Sequence, residues 1–199
     1  VTAMLVAVVV AHPAADSYCR ALAGRAVTGL RAGGHEVVVL DLYADGFAPA
    51  MTTAERHAYH GDTPILDDQV AEHADVIRRA QALVFVYPTW WSGLPAVLKG
   101  WLERVLVPGV AFGFDDAGKV QPGLGHVRRI VGISTYGSPR SYVRLVNDNG
   151  RRILTRALRM SCSWRTRCRW LGLYAIDTST SDERNAFAAR VEREMADLR

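Results

Sequence analysis

Short apolar runs alternate along this chain with longer stretches whose apolar residues return every three or four positions, which predicts strands separated by amphipathic helices. Residues 6–11 read as a first strand. Residues 16–32 read as a helix, with Tyr18, Leu22, Ala26 and Leu30 spaced four apart and a stop at Gly33-Gly34. A second strand is predicted over 36–41, an irregular stretch over 42–63, a helix over 65–80 and a third strand over 82–87. The next helix, 96–107, opens with Pro95 at its first position, where a missing N–H costs nothing. Its apolar face carries Val97, Leu98, Trp101, Leu102 and Val105. After a Gly/Asp/Pro-rich excursion over 108–125, a fourth strand is predicted at 129–134, a helix at 149–160 and a fifth strand at 170–176. A last helix follows Thr178-Ser179-Thr180-Ser181, where Thr180 and Glu183 have capping-box spacing and Phe187, Val191 and Met195 form a stripe. Five strands with intervening helices predict an α/β fold, a doubly wound five-stranded parallel sheet covered on both faces, within one domain spanning 1–199.

Composition narrows the class. With 49% hydrophobic and 22% charged residues over 199 positions, the chain has ample material for a core. The early apolar run over 3–11 is too short to span a bilayer and is broken by His12-Pro13, so it reads as a strand rather than a signal or membrane segment. Three cysteines without a Cys-x-x-Cys pair argue against a disulfide framework and a zinc site, and fit a cytoplasmic location. His57 and His60 lack a third ligand at useful spacing, and His35, His73 and His126 read as surface or turn residues. The net charge of +4 is uneven: between Pro139 and Trp170 stand nine arginines against one acid, Asp148. A solvated face, a field that attracts nucleotide phosphates and a nucleic-acid surface are all open readings, although no nucleic-acid motif accompanies the charge.

In a sheet of this kind ligands bind beyond the carboxyl ends of the strands. Three loops therefore matter. The first, containing His12, Pro13, Ser17, Tyr18 and Cys19, places small and hydroxylated residues beside the free N–H groups of a helix start, which suits an anion; Ser17 or Asp16 acting merely as a helix cap is the alternative. The second is Pro88-Thr89-Trp90-Trp91-Ser92-Gly93, two adjacent indoles between residues that let a backbone approach a planar ligand. The third is Ser134-Thr135-Tyr136-Gly137-Ser138, with Tyr142 just beyond, whose N–H groups could gather on a carbonyl or developing anion. No Gly-x-Ser-x-Gly elbow is present, which sets hydrolase chemistry aside.

Read together, these residues identify a resemblance. His12-Pro13 with Ser17, Asp41-Leu42-Tyr43-Ala44-Asp45-Gly46-Phe47, the block Tyr87-Pro88 through Arg104, and Thr135-Tyr136-Gly137-Ser138 with Tyr142 are similar to the flavodoxin-like NAD(P)H:quinone oxidoreductases, a family that includes bacterial modulators of drug activity and ancillary oxidoreductases of potassium-efflux systems. The resemblance implies non-covalent FMN or FAD, NAD(P)H as co-substrate, and a homodimer with active sites at its interface. His12, Ser17, Tyr18 and Cys19 match positions that hold the flavin phosphates. Pro88, Thr89, Trp90 and Trp91 match the loop against the flavin ring. Ser134, Thr135, Tyr136 and Gly137 match the loop at its N1 and O2 edge, with Tyr142 matching a tyrosine that bonds O2. Tyr136 stands where the family has a glycine-type residue, and Val146-Asn147-Asp148-Asn149 stands where animal members carry a histidine.

The reaction so implied is ping-pong two-electron transfer, in which NAD(P)H passes hydride to the flavin and a quinone or similar flat acceptor then receives it. Trp91, Tyr136, Gly137 and Tyr142 are the residues expected at the reacting ring. The alternative is a flavin-binding regulatory subunit of a membrane transport system, associated peripherally and using the arginine-rich region as its contact surface.

Overall fold

The computed structural model describes residues 3–199. Strand β1 (Leu5–Val10) leads to helix α1 (Tyr18–Ala32), then β2 (Glu36–Asp41), α2 (Thr53–Ala58), α3 (Asp68–Arg79), β3 (Ala82–Thr89) and α4 (Ala96–Val105). A hairpin of β4 (Phe112–Phe114) and β5 (Val120–Pro122) precedes β6 (Arg129–Tyr136). Helices α5 (Arg140–Leu145) and α6 (Asn149–Arg152) follow, and α6 continues into a π-helical segment over Ile153–Leu158. The chain ends with β7 (Arg167–Leu173) and α7 (Ser181–Ala196).

Five strands form one parallel sheet in the order β2-β1-β3-β6-β7. Alternation along β1 explains its two cores. Val6, Val8 and Val10 face α1 and α7 and meet Leu22, Ala26, Leu30, Phe187, Val191 and Met195. Ala7 and Val9 face the other way, toward Val70 and Ile77 of α3 and Leu98, Trp101 and Val105 of α4. Because both faces are covered, the central strands read as unbroken apolar runs.

Most elements fall where the periodicity puts them, and the differences have physical causes. β7 begins three residues earlier than expected because it is an edge strand, and Arg167 and Arg169 lie on its exposed positions. Residues 42–63 include α2, fixed by a Thr52–Glu55 capping box. The excursion over 108–125 contains the β4–β5 hairpin. Pro95 caps α4 rather than occupying its first turn. His35 and His73 are buried, not on the surface: His35 bonds the Met4 amide and the Leu198 carbonyl, and His73 Nδ1 accepts from Trp101 Nε1 at 3.0 Å. Burial holds the His73 pKa below the ordinary histidine value, which keeps the ring neutral and able to accept.

Two packing features aim the site. The segment after β2 is pinned to α4 by Arg104, whose buried guanidinium bonds Glu55 Oε1 (2.9 and 2.6 Å), the Ala48 carbonyl and Asp67. In the same region Gly100 lies against the Pro49 backbone so closely that a Cβ would not fit. These contacts fix α4, the helix that follows the turn carrying the paired tryptophans.

Candidate functional site

The order of strands reverses beside β1: the chain passes outward to β2, then returns across β1 to β3 and on to β6 and β7. Loops after β1 and β3 therefore leave the sheet on diverging paths and open a crevice at its carboxyl edge, flanked by the loop after β6.

The turn after β3 is the most unusual backbone in the molecule. Thr89 Oγ1 and Ser134 Oγ are 2.9 Å apart, tying the ends of β3 and β6 together. The Gly93 amide donates to the Trp90 carbonyl (3.0 Å), closing a tight turn in which Trp91 and Ser92 have φ values of 49° and 57°. Left-handed conformations at residues with side chains cost about 1–3 kcal/mol each and persist only where the surroundings enforce them. Their effect here is to throw the Trp91 side chain wholly into solvent, with a relative exposure of 103%, while Trp90 leans toward the His12 ring at 5.8 Å. Among the described residues the Trp91 and Ser92 amides have no acceptor in the chain.

Across the crevice, the aromatic at position 136 does not block the rim. The Tyr136 ring turns inward, stacks on Tyr174 with centroids 4.5 Å apart, accepts from Trp170 Nε1 (3.0 Å) and donates to Asp148 (3.2 Å). Gly132 makes room for Trp170, whose ring occupies the space a Cβ would need. The Gly137 backbone is left exposed with an amide that has no acceptor among the described residues. Burial pushes the Tyr136 hydroxyl well above the ordinary phenol range and raises the Asp148 carboxyl as well, against the pull of Arg151 and Arg152. Tyr136 is thus a neutral donor at any physiological pH. The sequence offered one clue to this Tyr136–Asp148–Trp170–Tyr174 cluster, the lone acid in an arginine run, but nothing that paired it with a particular tyrosine.

Thr89, Trp90, Trp91 and Ser92 on one side and Tyr136, Gly137, Ser138, Tyr142 and Val143 on the other border an open cavity of about 580 Å³. That volume lies within the range of small-molecule sites, about 300–1,000 Å³. Pro88, Ser134 and Thr135 are buried directly beneath as strand ends, so their side chains support the rim. Tyr142 stands half-exposed on α5. Below the tryptophan turn, the Tyr87 hydroxyl is buried without a hydrogen-bond partner among the described residues. An unsatisfied buried donor costs roughly 1–3 kcal/mol. Tyr87→Phe is therefore expected to stabilise the fold by about 1 kcal/mol, seen as a melting temperature higher by about 2–4 °C; a lower value would mean that the hydroxyl is satisfied in solution.

The first loop divides between capping and an open edge. His12 Nδ1 accepts the Ala14 amide (3.1 Å), and Ser17 caps α1 by accepting from the Arg20 amide (3.3 Å). The Tyr18 hydroxyl donates to the Arg184 carbonyl (2.6 Å), and the Cys19 thiol is buried, its pKa pushed up to about 12. Neither side chain faces the rim. What remains for an anion is the start of α1, where the Tyr18 and Cys19 amides lack acceptors among the described residues, and the half-exposed His12 ring. No cluster of potential metal ligands occurs among the described residues.

A planar ring with polar edges fits this arrangement. Residues with uncommitted amides border the cavity from two loops, exposed indoles supply an apolar wall, and an anion-competent helix start lies on the same rim.

The fold is shared with known proteins. A family model described as flavodoxin-like fold matches residues 4–198. Human ribosyldihydronicotinamide dehydrogenase [quinone] is 30% identical over 169 residues, covering 75% of this chain and 71% of the human one. An uncharacterized NAD(P)H oxidoreductase of Haemophilus influenzae is 36% identical over 107 residues, covering 53% of this chain; that match spans about half of the relative, 52%. The crystal structure of Smu.1420 from Streptococcus mutans superposes with a TM-score of 0.83 at 25% identity, covering 98% of this chain and 100% of the other.

Proposed function

Because the chain belongs to the flavodoxin-like NAD(P)H:quinone oxidoreductase family, we propose that it binds a flavin, FMN or FAD, in the crevice at the carboxyl edge of its sheet and uses it to pass two electrons from NAD(P)H to a quinone or similar flat acceptor. The observation that carries this reading is the set of uncommitted amides at Trp91, Ser92 and Gly137 around one cavity walled by a fully exposed indole. When bound, the flavin supplies a centre that accepts hydride from one planar partner and delivers it to the next, so a single cavity serves both in turn.

The chain's residues perform the positioning. Trp91 and Ser92 present their N–H groups to one polar edge of the ring, and the strained turn holds them there in advance of binding. Gly137, through its N–H, and Tyr142, through its hydroxyl, would hold the oxygen edge of the ring and stabilise negative charge there. Tyr136 sets the Gly137 backbone in place through its inward anchor on Asp148, Trp170 and Tyr174. His12 and the Tyr18 and Cys19 amides would take the flavin phosphate at the start of α1, joined by the Ser17 hydroxyl, which caps the helix as an acceptor and keeps its own proton to donate.

A cavity open to solvent on the Trp91 side needs a cover, since hydride transfer is favoured where water is excluded. A second copy of the chain laid against the exposed Trp91 and Tyr142 supplies it, which makes the working form a homodimer with a site at each end of its interface. No helix among the described residues is long and apolar enough to cross a membrane.

The absorbance spectrum of the purified protein tests the assignment. The expected result is a flavin spectrum bleached by a nicotinamide nucleotide and restored by a benzoquinone, with chromatography of the released chromophore identifying FMN or FAD. Protein that stays colourless after incubation with either flavin would refute it.

A further inference from the structure

The arginine-rich run does not form one surface. The structure sends Arg165, Arg167 and Arg169 to the opposite end of the sheet and its edge strand, where Arg169 pairs with Glu194. Arg140 and Arg144 of α5 and Arg151, Arg152 and Arg156 of the α6 region remain at the carboxyl edge. These five line a separate groove of about 390 Å³ together with Thr155.

Three features distinguish this groove from an ordinary solvated face. Among the described residues none of its five guanidinium groups has a carboxylate within 4 Å or a hydrogen bond within the chain. Two of them are held by rings: Arg140 lies 5.9 Å from the Tyr174 centroid and Arg151 5.9 Å from that of Trp170, the aromatics that anchor Tyr136. Third, the groove adjoins the flavin cavity, because Val143 of α5 lines both. Five cations around one concavity, with Asp148 as the sole acid, create a field that only a multiply charged anion would neutralise. Guanidinium forks match phosphate oxygens in pairs.

We propose that this groove holds the phosphates of the nicotinamide dinucleotide, the extra 2′-phosphate above all, so that NADPH is bound in preference to NADH. This rests on the oxidoreductase reading above and adds the choice of reductant to it. The flavin's own phosphate has a different seat, at the start of α1 on the other side of the tryptophan turn. A nicotinamide ring in the 580 Å³ cavity has its phosphate-bearing tail free to cross α5 into the arginine groove.

The test uses the flavin-loaded protein and the double variant Arg144→Gln/Arg156→Gln, two exposed residues that hold no other part of the fold. In rapid-mixing measurements of flavin reduction, the native protein should show an apparent Kd for NADPH at least roughly tenfold below that for NADH. The double variant should lose roughly tenfold for NADPH while NADH stays within about twofold, with the limiting rate of reduction unchanged. Calorimetric titration with 2′,5′-ADP reads the same groove without any flavin. Binding that is present in the native protein and weakened in the variant supports the proposal even if the oxidoreductase reading fails. Equal affinity for the two nucleotides, equal loss of both in the variant, or no binding of 2′,5′-ADP would overturn it. So would loss of flavin from the variant, which would assign the groove to the flavin's phosphates instead.

Discussion

Replacing Arg104 by alanine is expected to lower the melting temperature by about 10 °C, because it strands a buried carboxylate. The guanidinium is 4% exposed and the Glu55 carboxylate 9%, so neither ion is solvated, and each depends on the other and on neighbouring polar groups. Removing one partner of such a buried pair costs about 3–5 kcal/mol because the remaining charge is stranded. The Glu55 carboxylate would keep the bond from the Thr52 amide, and the Glu55 amide its bond to the Thr52 hydroxyl, but both bonds from Arg104 would be lost, and the Ala48 carbonyl would lose its donor. The damage would reach the site, because this cluster clamps residues 47–55 onto α4, the helix that begins just after the tryptophan turn. Replacing both members with apolar residues, Glu55→Leu with Arg104→Met, should restore most of the loss, since no charge is then left buried. Thermal melting of the three proteins measures all of this, and an Arg104→Ala variant within about 2 °C of native would show that water reaches the pair.

The same pair sets a pH dependence. Burial works against the Glu55 carboxylate, but the Thr52 and Arg104 hydrogen bonds outweigh it and hold its pKa below the ordinary glutamate value. Asp67 is lowered too, chiefly by the Val70 amide and with help from Arg104, although its exposure discounts the effect. Carboxyls with depressed folded-state pKa values contribute stability above their unfolded values, and that contribution disappears as pH falls through the folded ones. Native protein should therefore lose stability below about pH 4, whereas the apolar double variant should show a shallower acid limb.

Replacing Trp91 by alanine is expected to slow hydride transfer by about ten- to a hundredfold while most of the flavin stays bound. The contacts proposed for the flavin at this turn are backbone N–H groups, and its phosphate is assigned to the α1 start, so truncating the side chain leaves them in place. What disappears is the indole wall, which is fully exposed in the single chain and available to press on a stacked nicotinamide or acceptor. A misplacement of about 1 Å at a reacting ring can cost on the order of a hundredfold in rate. Alanine also holds the left-handed φ of 49° without the bulk that the indole brings to it, so the turn itself should survive. Stopped-flow half-reactions, read beside flavin content, separate the possibilities: unchanged rates in both halves would remove Trp91 from the mechanism, and loss of flavin would make it a binding residue instead.

Much of this molecule is written locally. The apolar runs of β1, β3 and β6, the four-residue spacing in α1, and the Thr180–Glu183 box follow from backbone periodicity and short-range hydrogen bonding, and the structure has them where those rules put them. Proline and glycine around the paired tryptophans likewise mark a loop at a strand end, and parallel topology obliges that loop to meet the one after β6. Other features depend on residues far apart in sequence. Nothing local indicates that Arg104 neutralises Glu55 49 positions away, that His73 is buried under Trp101, or that the Tyr136 ring turns inward to a carboxylate and two aromatics. Nor does an arginine count reveal that five of nine gather in one groove while Arg165, Arg167 and Arg169 go to the far end of the sheet. Periodicity settles which face of an element is apolar because that depends only on the helix or strand repeat. Which polar groups meet, and which stay unpaired and available to a ligand, depends on how the elements pack, and only the assembled tertiary structure decides it.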